Sequence, residues 1–218
     1  MPSFQALLCD LDGTLADSEP LHCAAWLHIL NDIHQFKQYD EHWFEQYVGT
    51  SDTVVGRDIV ASHDLGLTAE ELIRQKRDNF HQRVRSEAKS FPGVLNWLER
   101  ISAGFPLAVA TNSGREDADV MIAALDLMRF ARTSVTADDV EEMKPAPDIY
   151  LVAAKRLGVP AESCIAIEDS VPGGQAAKAA GCYLIGVEEK VTMADEYFPE
   201  NAAALERAYQ LLTEAARR

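Results

Sequence analysis

Several things are scarce in this chain of 218 residues. No apolar run approaches the roughly 18 residues that a membrane-spanning helix needs, and no basic-then-apolar leader precedes Asp10. There are only four cysteines (Cys9, Cys23, Cys164 and Cys182), and none of their spacings is that of a zinc site or a redox pair. Two of them lie in apolar runs, which predicts buried free thiols. Basic residues are few: 20 Lys and Arg stand against 35 Asp and Glu, a net charge of -15. That balance argues against nucleic acid or an anionic membrane as partner, since both need positive potential. Low-complexity linkers and internal repeats are also missing. The expectation is a reduced, soluble, cytoplasmic protein in which any anionic substrate must be attracted locally, against the overall field.

What is present is a core-forming composition, with 47% hydrophobic residues, and one conspicuous stretch. Ala6-Leu7-Leu8-Cys9 runs into Asp10-Leu11-Asp12-Gly13-Thr14. Alternation along an extended chain would put Asp10 and Asp12 on one side. Neighbouring carboxylates repel unless a cation lies between them or one holds a proton. Mg²⁺ is the natural guest, being a hard cation that takes oxygen ligands and shares its shell with phosphate. A calcium loop also uses Asp-x-Asp-Gly, but the residues from Leu15 to Cys23 lack its further ligands.

From about Ala16 to Lys89 the pattern is helical throughout. His22, Trp26, Ile29 and Ile33 recur at helical spacing, Gly49 would end a second short helix, and Thr68-Ala69-Glu70-Glu71 reads as a capping box opening a long helix. After Phe91-Pro92-Gly93, short apolar runs near Leu107–Thr111, Thr133–Thr136, Cys164–Ile167 and Tyr183–Val187 alternate with helices. The helices are expected at about 115–127, 146–157, 174–180 and 202–216. Strand and helix in alternation predict an α/β fold with a parallel, Rossmann-like sheet covered on both faces. The expected division is 1–15 with 90–218 as the sheet core and 16–89 as an all-helical insert. In such sheets ligands bind beyond the carboxyl ends of the strands. Asp10 and Asp12, Thr111-Asn112-Ser113 and Glu168-Asp169 follow three of those strands, and Lys144 precedes a helix. Singly each has an ordinary alternative: Thr111 a helix cap, Lys144 a solvated loop lysine, Glu168-Asp169 a favourable charge at a helix start. Together they converge on one bound phosphate.

Asp10-x-Asp12-Gly13-Thr14, Thr111, Lys144 and Glu168-Asp169 resemble the four motifs of the haloacid dehalogenase-like hydrolase superfamily, in order and in spacing. The resemblance implies Asp10 as nucleophile, forming an aspartyl-phosphate, and Asp12 as general acid then base. It implies Mg²⁺ held by the Asp10 carboxylate, the Asp12 backbone carbonyl and the Asp169 carboxylate, with Glu168 behind them or as an alternative ligand. Lys144, the Thr111 hydroxyl and backbone N–H groups near Asn112 would receive the phosphoryl oxygens. Asp12 is absent from relatives that cleave carbon–halogen or phosphonate bonds, so the expected substrates are phosphate esters. The helical insert resembles the cap of beta-phosphoglucomutases and related sugar-phosphate phosphatases, through His22-Cys23-Ala24-Ala25-Trp26 and Lys76. The resemblance gives His22 and Lys76 to the substrate, hinges near 16–19 and 89–93, and a monomer. His22 as a packed histidine and Lys76 as a snorkelling lysine remain open. Where the mutases carry an arginine that grips a second phosphate, this chain has Asp52, an acid expected to repel one. The expected activity is therefore a phosphatase of small phosphorylated metabolites, sugar or polyol phosphates among them. A beta-phosphoglucomutase is the alternative, and a non-catalytic binding protein on the same fold is a third reading.

Overall fold

The structure is a computed structural model that describes residues 3–48 and 50–217. It divides into two compact units, one formed by the residues up to Asp17 together with those from Lys89 on, the other by Ser18–Ala88. In chain order the elements are β1 (Ala6–Cys9), α1 (Glu19–Leu27), α2 (Glu41–Glu45), α3 (Asp52–Ser62), α4 (Ala69–Glu87) and α5 (Val94–Ser102). Then come β2 (Leu107–Ala110), α6 (Arg115–Ala124), β3 (Thr133–Val135), α7 (Asp148–Leu157) and β4 (Cys164–Glu168). The chain finishes with α8 (Val171–Ala179), β5 (Tyr183–Gly186), β6 (Glu196–Tyr197) and α9 (Asn201–Ala216). Among the described residues no helix is long and apolar enough to cross a membrane.

The first unit is built on a six-stranded sheet in the order β3-β2-β1-β4-β5-β6, with all neighbours parallel. The period of two sorts its side chains by size. Ala6, Leu8, Ala108, Ala110 and Ala166 share one core with Ile149, Tyr150, Ala153 and Ala154 of α7 and Ala176 and Ala177 of α8. So many alanines let these helices lie close to the strands. The intervening residues Leu7, Cys9, Leu107, Val109, Ile165 and Ile167 are buried on the opposite face, where α9 lies against β4 and β5 and packs on α5. Strand order reverses direction around β1, so the loops after β1, β2 and β4 open side by side.

Sequence periodicity missed two pieces of this unit. Strand β6 is two residues long, too short for any alternation to register. Helix α5 follows the Phe91-Pro92-Gly93 break directly and buries Val94, Leu98 and Ile101. Three helix bounds also differ. Helix α8 starts at Val171, because Ser170 caps it by accepting from the Gly173 N–H at 3.1 Å. Helix α7 starts at Asp148, after Pro145 and Pro147, and α6 stops at Ala124. Ala16 bridges to Asp12 and to Ser90, and the Asp17 N–H donates to the Lys89 carbonyl at 3.0 Å. These bonds tie Ala16, Asp17 and Lys89, read from the sequence as part of the insert, to the sheet unit.

The second unit is all helical among its described residues. Trp26, Ile29, Leu30, Phe44, Val55, Ile59 and Leu72 form its core. Gly49 lies outside the described residues, so its reading as a helix stop has no structural counterpart; α2 itself ends at Glu45. Ile33, placed by spacing on the apolar face, is 53% exposed. Residues His28–Ile33 form a π-helix, with the His34 N–H reaching the Ile29 carbonyl five residues back. The wider turn rotates Ile33 off the stripe. Helix α4 opens on the expected capping box: the Glu71 N–H donates to Thr68 Oγ1 at 3.2 Å, and the Thr68 N–H donates to Glu71 Oε2 at 2.9 Å. Thr68→Ala removes one half of that box and should lower stability by about 1 kcal/mol. Thr68→Ser should leave it nearly unchanged, and urea denaturation followed by circular dichroism measures both.

Candidate active site

The regular strand β1 ends at Cys9, so the two aspartates sit on the loop beyond it and strict alternation is not what places them. The Asp10 N–H is still drawn to the neighbouring strand, donating to the Ile167 carbonyl at 3.1 Å. Register pairs Cys9 with Ile167, which sets Asp10 beside Glu168. Asp10, Glu168 and Asp169 each offer a carboxylate oxygen within 4.8 Å of the others. Asp10 and Glu168 are buried.

A buried cation lies against this concentration of acid. The buried Lys144 ammonium donates to Asp10 Oδ1 at 2.5 Å, to Glu168 Oε1 at 2.5 Å and to the Ala110 carbonyl at 2.8 Å. Burial opposes a charged ammonium, but Asp10 and Glu168 outweigh it and raise the Lys144 pKa above its usual value, so the lysine stays protonated. The lysine is placed by Asn112. The Asn112 Oδ1 accepts from the Lys144 N–H at 2.9 Å and its Nδ2 donates to the Lys144 carbonyl at 3.2 Å. The Asn112 side chain thus serves the lysine's peptide, which leaves only its main chain for a phosphate.

Glu168 is saturated. Beside Lys144, Tyr150 donates its hydroxyl to Oε1 at 2.7 Å, and Ser170 donates to Oε2 from its hydroxyl at 3.0 Å and its N–H at 3.3 Å. A Cβ at position 173 would stand 1.9 Å from Glu168 Oε1, so Gly173 is what lets the carboxylate lie on the start of α8. Tyr150 gave no signal in the sequence beyond its place in a helical pattern; only the fold shows that its hydroxyl is aimed at an acid.

Asp169 accepts a long contact from the Thr14 hydroxyl, 3.4 Å away. It presses on Gly13, whose φ of 75° is a left-handed conformation and whose missing Cβ would lie 2.5 Å from Asp169 Oδ2. Burial, then Glu168, pushes the Asp169 carboxyl up to about 7 despite Lys190 and Lys144. Asp10 is also pushed well up, by burial and by Glu168, Asp169 and Asp12 against the pull of Lys144. Three clustered carboxylates outnumber the two lysines that act on them, Lys144 and Lys190, and all the donor atoms are hard oxygens. Those features fit a Mg²⁺ ion.

The Thr111 hydroxyl does not cap α6, whose N-cap is Gly114. It accepts from the Ser113 N–H at 3.0 Å and closes a local turn at the end of β2. Asp12 meets Ser113, whose hydroxyl donates to Asp12 Oδ2 at 2.6 Å. The loop from Asp12 to Thr14 is held from the far end of the chain, where Asn201 Nδ2 donates to the Gly13 carbonyl at 3.0 Å and the Thr14 carbonyl at 2.8 Å. Asp10, Asp12, Thr111, Asn112, Lys144, Glu168 and Asp169 therefore all lie at the carboxyl edge of one sheet.

His22 and Lys76 belong to the helical unit and form a cluster there. Lys76 is 1% exposed in the apolar stripe of α4, between Leu72 and Phe80. It does not snorkel along that stripe. Its ammonium donates to Asp52 Oδ2 at 2.8 Å and to His22 Nδ1 at 2.6 Å, and lies 4.8 Å from the centre of the Phe80 ring, on which His22 stacks. Asp52 Oδ1 accepts from Trp26 Nε1 at 3.0 Å. Burial works against the Asp52 carboxylate, but Lys76, His22 and these two bonds bring its pKa below normal. Asp52 is thus no lone repelling charge, as its sequence position suggested, but one half of an ion pair.

The comparisons agree with this geometry. The family profile described as haloacid dehalogenase-like hydrolase matches residues 7–187. The fructose-1-phosphate phosphatase of Escherichia coli K12 is 31% identical over 84% of this chain and 96% of its own length. The phosphorylated carbohydrates phosphatase of Thermotoga maritima is 31% identical over 95% of this chain and 96% of its own. Among solved structures, CbbY from Rhodobacter sphaeroides in complex with phosphate superposes with a TM-score of 0.76 at 28% identity, covering 94% of this chain and all of that one. Motif spacing, the carboxylate cluster around Lys144 and a profile that spans most of the chain converge, and the protein belongs to the haloacid dehalogenase-like hydrolases.

Proposed function

We propose that this protein is a Mg²⁺-dependent phosphatase of small phosphorylated metabolites, sugar or polyol phosphates among them, working through an aspartyl-phosphate on Asp10. The observation that carries the reading is the Asp10 carboxylate, bonded to a buried ammonium at 2.5 Å and crowded by two further acids. An ion pair kept only for stability would not need that excess of negative charge, because burying it is costly. The family and the two phosphatase relatives support the same reading.

In the first half-reaction an oxygen of Asp10 attacks phosphorus. The bond from phosphorus to the ester oxygen breaks, and Asp12 gives its proton to the departing oxygen, which leaves as an alcohol. In the second half, water attacks the phosphoryl group and passes a proton to Asp12. The phosphorus–Asp10 bond breaks, and inorganic phosphate leaves. Lys144 and Thr111 hold the phosphoryl oxygens while charge shifts between attacking and leaving atoms. The carboxylates of Asp10 and Asp169 and the backbone carbonyl of Asp12 would hold Mg²⁺, with Glu168 held back by its own four bonds. Bound there, the ion would neutralise the phosphoryl oxygens and orient them.

A mutase must keep a grip on a second phosphate while its intermediate turns round. Lys76 is compensated by Asp52, so this cluster offers such a group little net positive charge, and the phosphatase reading is preferred. Incubation with beta-glucose 1-phosphate, a trace of the 1,6-bisphosphate and Mg²⁺ separates the two. Glucose 6-phosphate formed without inorganic phosphate would establish the mutase. Phosphate release, here or across a panel of sugar and polyol phosphates, is the expected result.

Two further outcomes follow from the site. Asp10→Asn should lower turnover at least about a thousandfold while circular dichroism and melting temperature report an intact fold; an active variant would refute the covalent route. Burial and Glu168 push the Asp169 carboxyl up to about 7, above the ordinary carboxylate range, so the metal-free folded state holds its proton more tightly than the unfolded chain does. Metal-free stability should therefore fall as pH rises from about 4 through 7. Mg²⁺ binding requires the carboxylate, so the rise in melting temperature produced by saturating Mg²⁺ should be larger at pH 8 than at pH 5.5. Asp169→Ala should shrink both the Mg²⁺-induced rise and its pH dependence, leaving the part that Asp10 contributes, which differential scanning fluorimetry can read without any substrate.

A further inference from the structure

Ser113 closes the polar cluster that follows β2, where its place is legible in the sequence but no role of its own is. Its hydroxyl nevertheless donates to Asp12 Oδ2 at 2.6 Å. Its backbone is fixed on both sides, with its N–H on Thr111 Oγ1 at 3.0 Å and its carbonyl accepting from the Ala137 N–H at 3.2 Å. Ala137 in turn opens a short 3-10 turn, closed by the reciprocal bonds of Thr136 and Asp139. The hydroxyl oxygen is thus placed by a braced main chain rather than by a free surface rotamer.

We infer that Ser113 is a positioning residue for the proton transfers of Asp12, keeping its carboxyl aimed in both halves of the reaction. The inference rests on the reading of Asp12 as acid and base. That role makes Asp12 alternate between a carboxylic acid, before the ester oxygen departs, and a carboxylate, before water attacks. A backbone N–H can donate to either form but cannot accept the O–H of the acid. A serine hydroxyl donates to the carboxylate and, by turning about its own C–O bond, accepts from the acid, with its oxygen unmoved. The partner therefore matches a group that must change protonation twice per turnover and still point the same way.

The test uses the leaving group, because a residue that only braced the turn would not sense it. An alkyl leaving oxygen needs a proton, whereas p-nitrophenolate departs well without one. kcat/KM reports the step in which that oxygen leaves. For Ser113→Ala, kcat/KM on the best-cleaved sugar or polyol phosphate should fall by about ten- to a hundredfold, in the range of general acid catalysis. On p-nitrophenyl phosphate it should fall by less than about threefold, and Ser113→Thr, which keeps the hydroxyl, should recover most of the loss. Equal losses on both substrates, or no loss on the alkyl ester, would overturn the inference. Ser113→Cys, similar in shape but a weak donor, provides the same comparison if the alanine variant does not fold. Asp12→Asn measured alongside separates the two levels of the argument: if it leaves alkyl ester hydrolysis intact, the acid–base reading itself fails. If Asp12→Asn is selectively impaired and Ser113→Ala is not, only the place of Ser113 is lost.

Discussion

Where β1 and β4 end, Asp10, Glu168 and Asp169 crowd together beside the buried ammonium of Lys144, in a region from which water is largely excluded. Like charges in such surroundings repel strongly, and the repulsion can be relieved only by protons, by the lysine or by a metal. Much of the nearby architecture serves this arrangement. Asn112 grips both sides of the Lys144 peptide, Tyr150 and Ser170 fill the remaining lone pairs of Glu168, and glycines at 13 and 173 remove the side chains that would push Asp169 and Glu168 away. Each acid has its own set of neighbours, so three residues of similar chemistry can take different duties.

The two acids of the Glu168-Asp169 pair show this division. Glu168 spends its oxygens on Lys144, Tyr150 and Ser170 and acts as the counter-charge that holds the lysine. Asp169 takes a long contact from Thr14, and burial and Glu168 raise its pKa against the pull of Lys190 and Lys144. In the helical unit a comparable economy governs Lys76. A fully buried ammonium is tolerated because Asp52, His22 and the face of Phe80 surround it. Asp52 could be read as an isolated charge only while Lys76, 24 residues away in sequence, had no position.

The parallel sheet was legible because a buried strand must be apolar and its ends must be polar. Leu7-Leu8-Cys9 before Asp10, and Ile165-Ala166-Ile167 before Glu168, are of that kind. The charged members of the site were legible for the same reason, each following a strand or preceding a helix. What stayed hidden has physical causes as well. Strand β6 is too short for periodicity, and the π-turn at His28–Ile33 depends on packing rather than on composition. Ser113, Tyr150 and Asn201 are polar groups whose importance comes wholly from a partner distant in sequence, as with the 101 residues between Ser113 and Asp12. No local pattern encodes such a pairing.

The bond from Asn201 to the carbonyls of Gly13 and Thr14 spans 187 to 188 residues of chain. The loop that carries Asp12 is therefore not closed by its own residues alone, and its shape is completed by the opening turn of α9. A contact of that sequence separation costs the chain more closure entropy than any local turn, so this small loop takes its shape from the fold as a whole and shares in whatever loosens the start of α9.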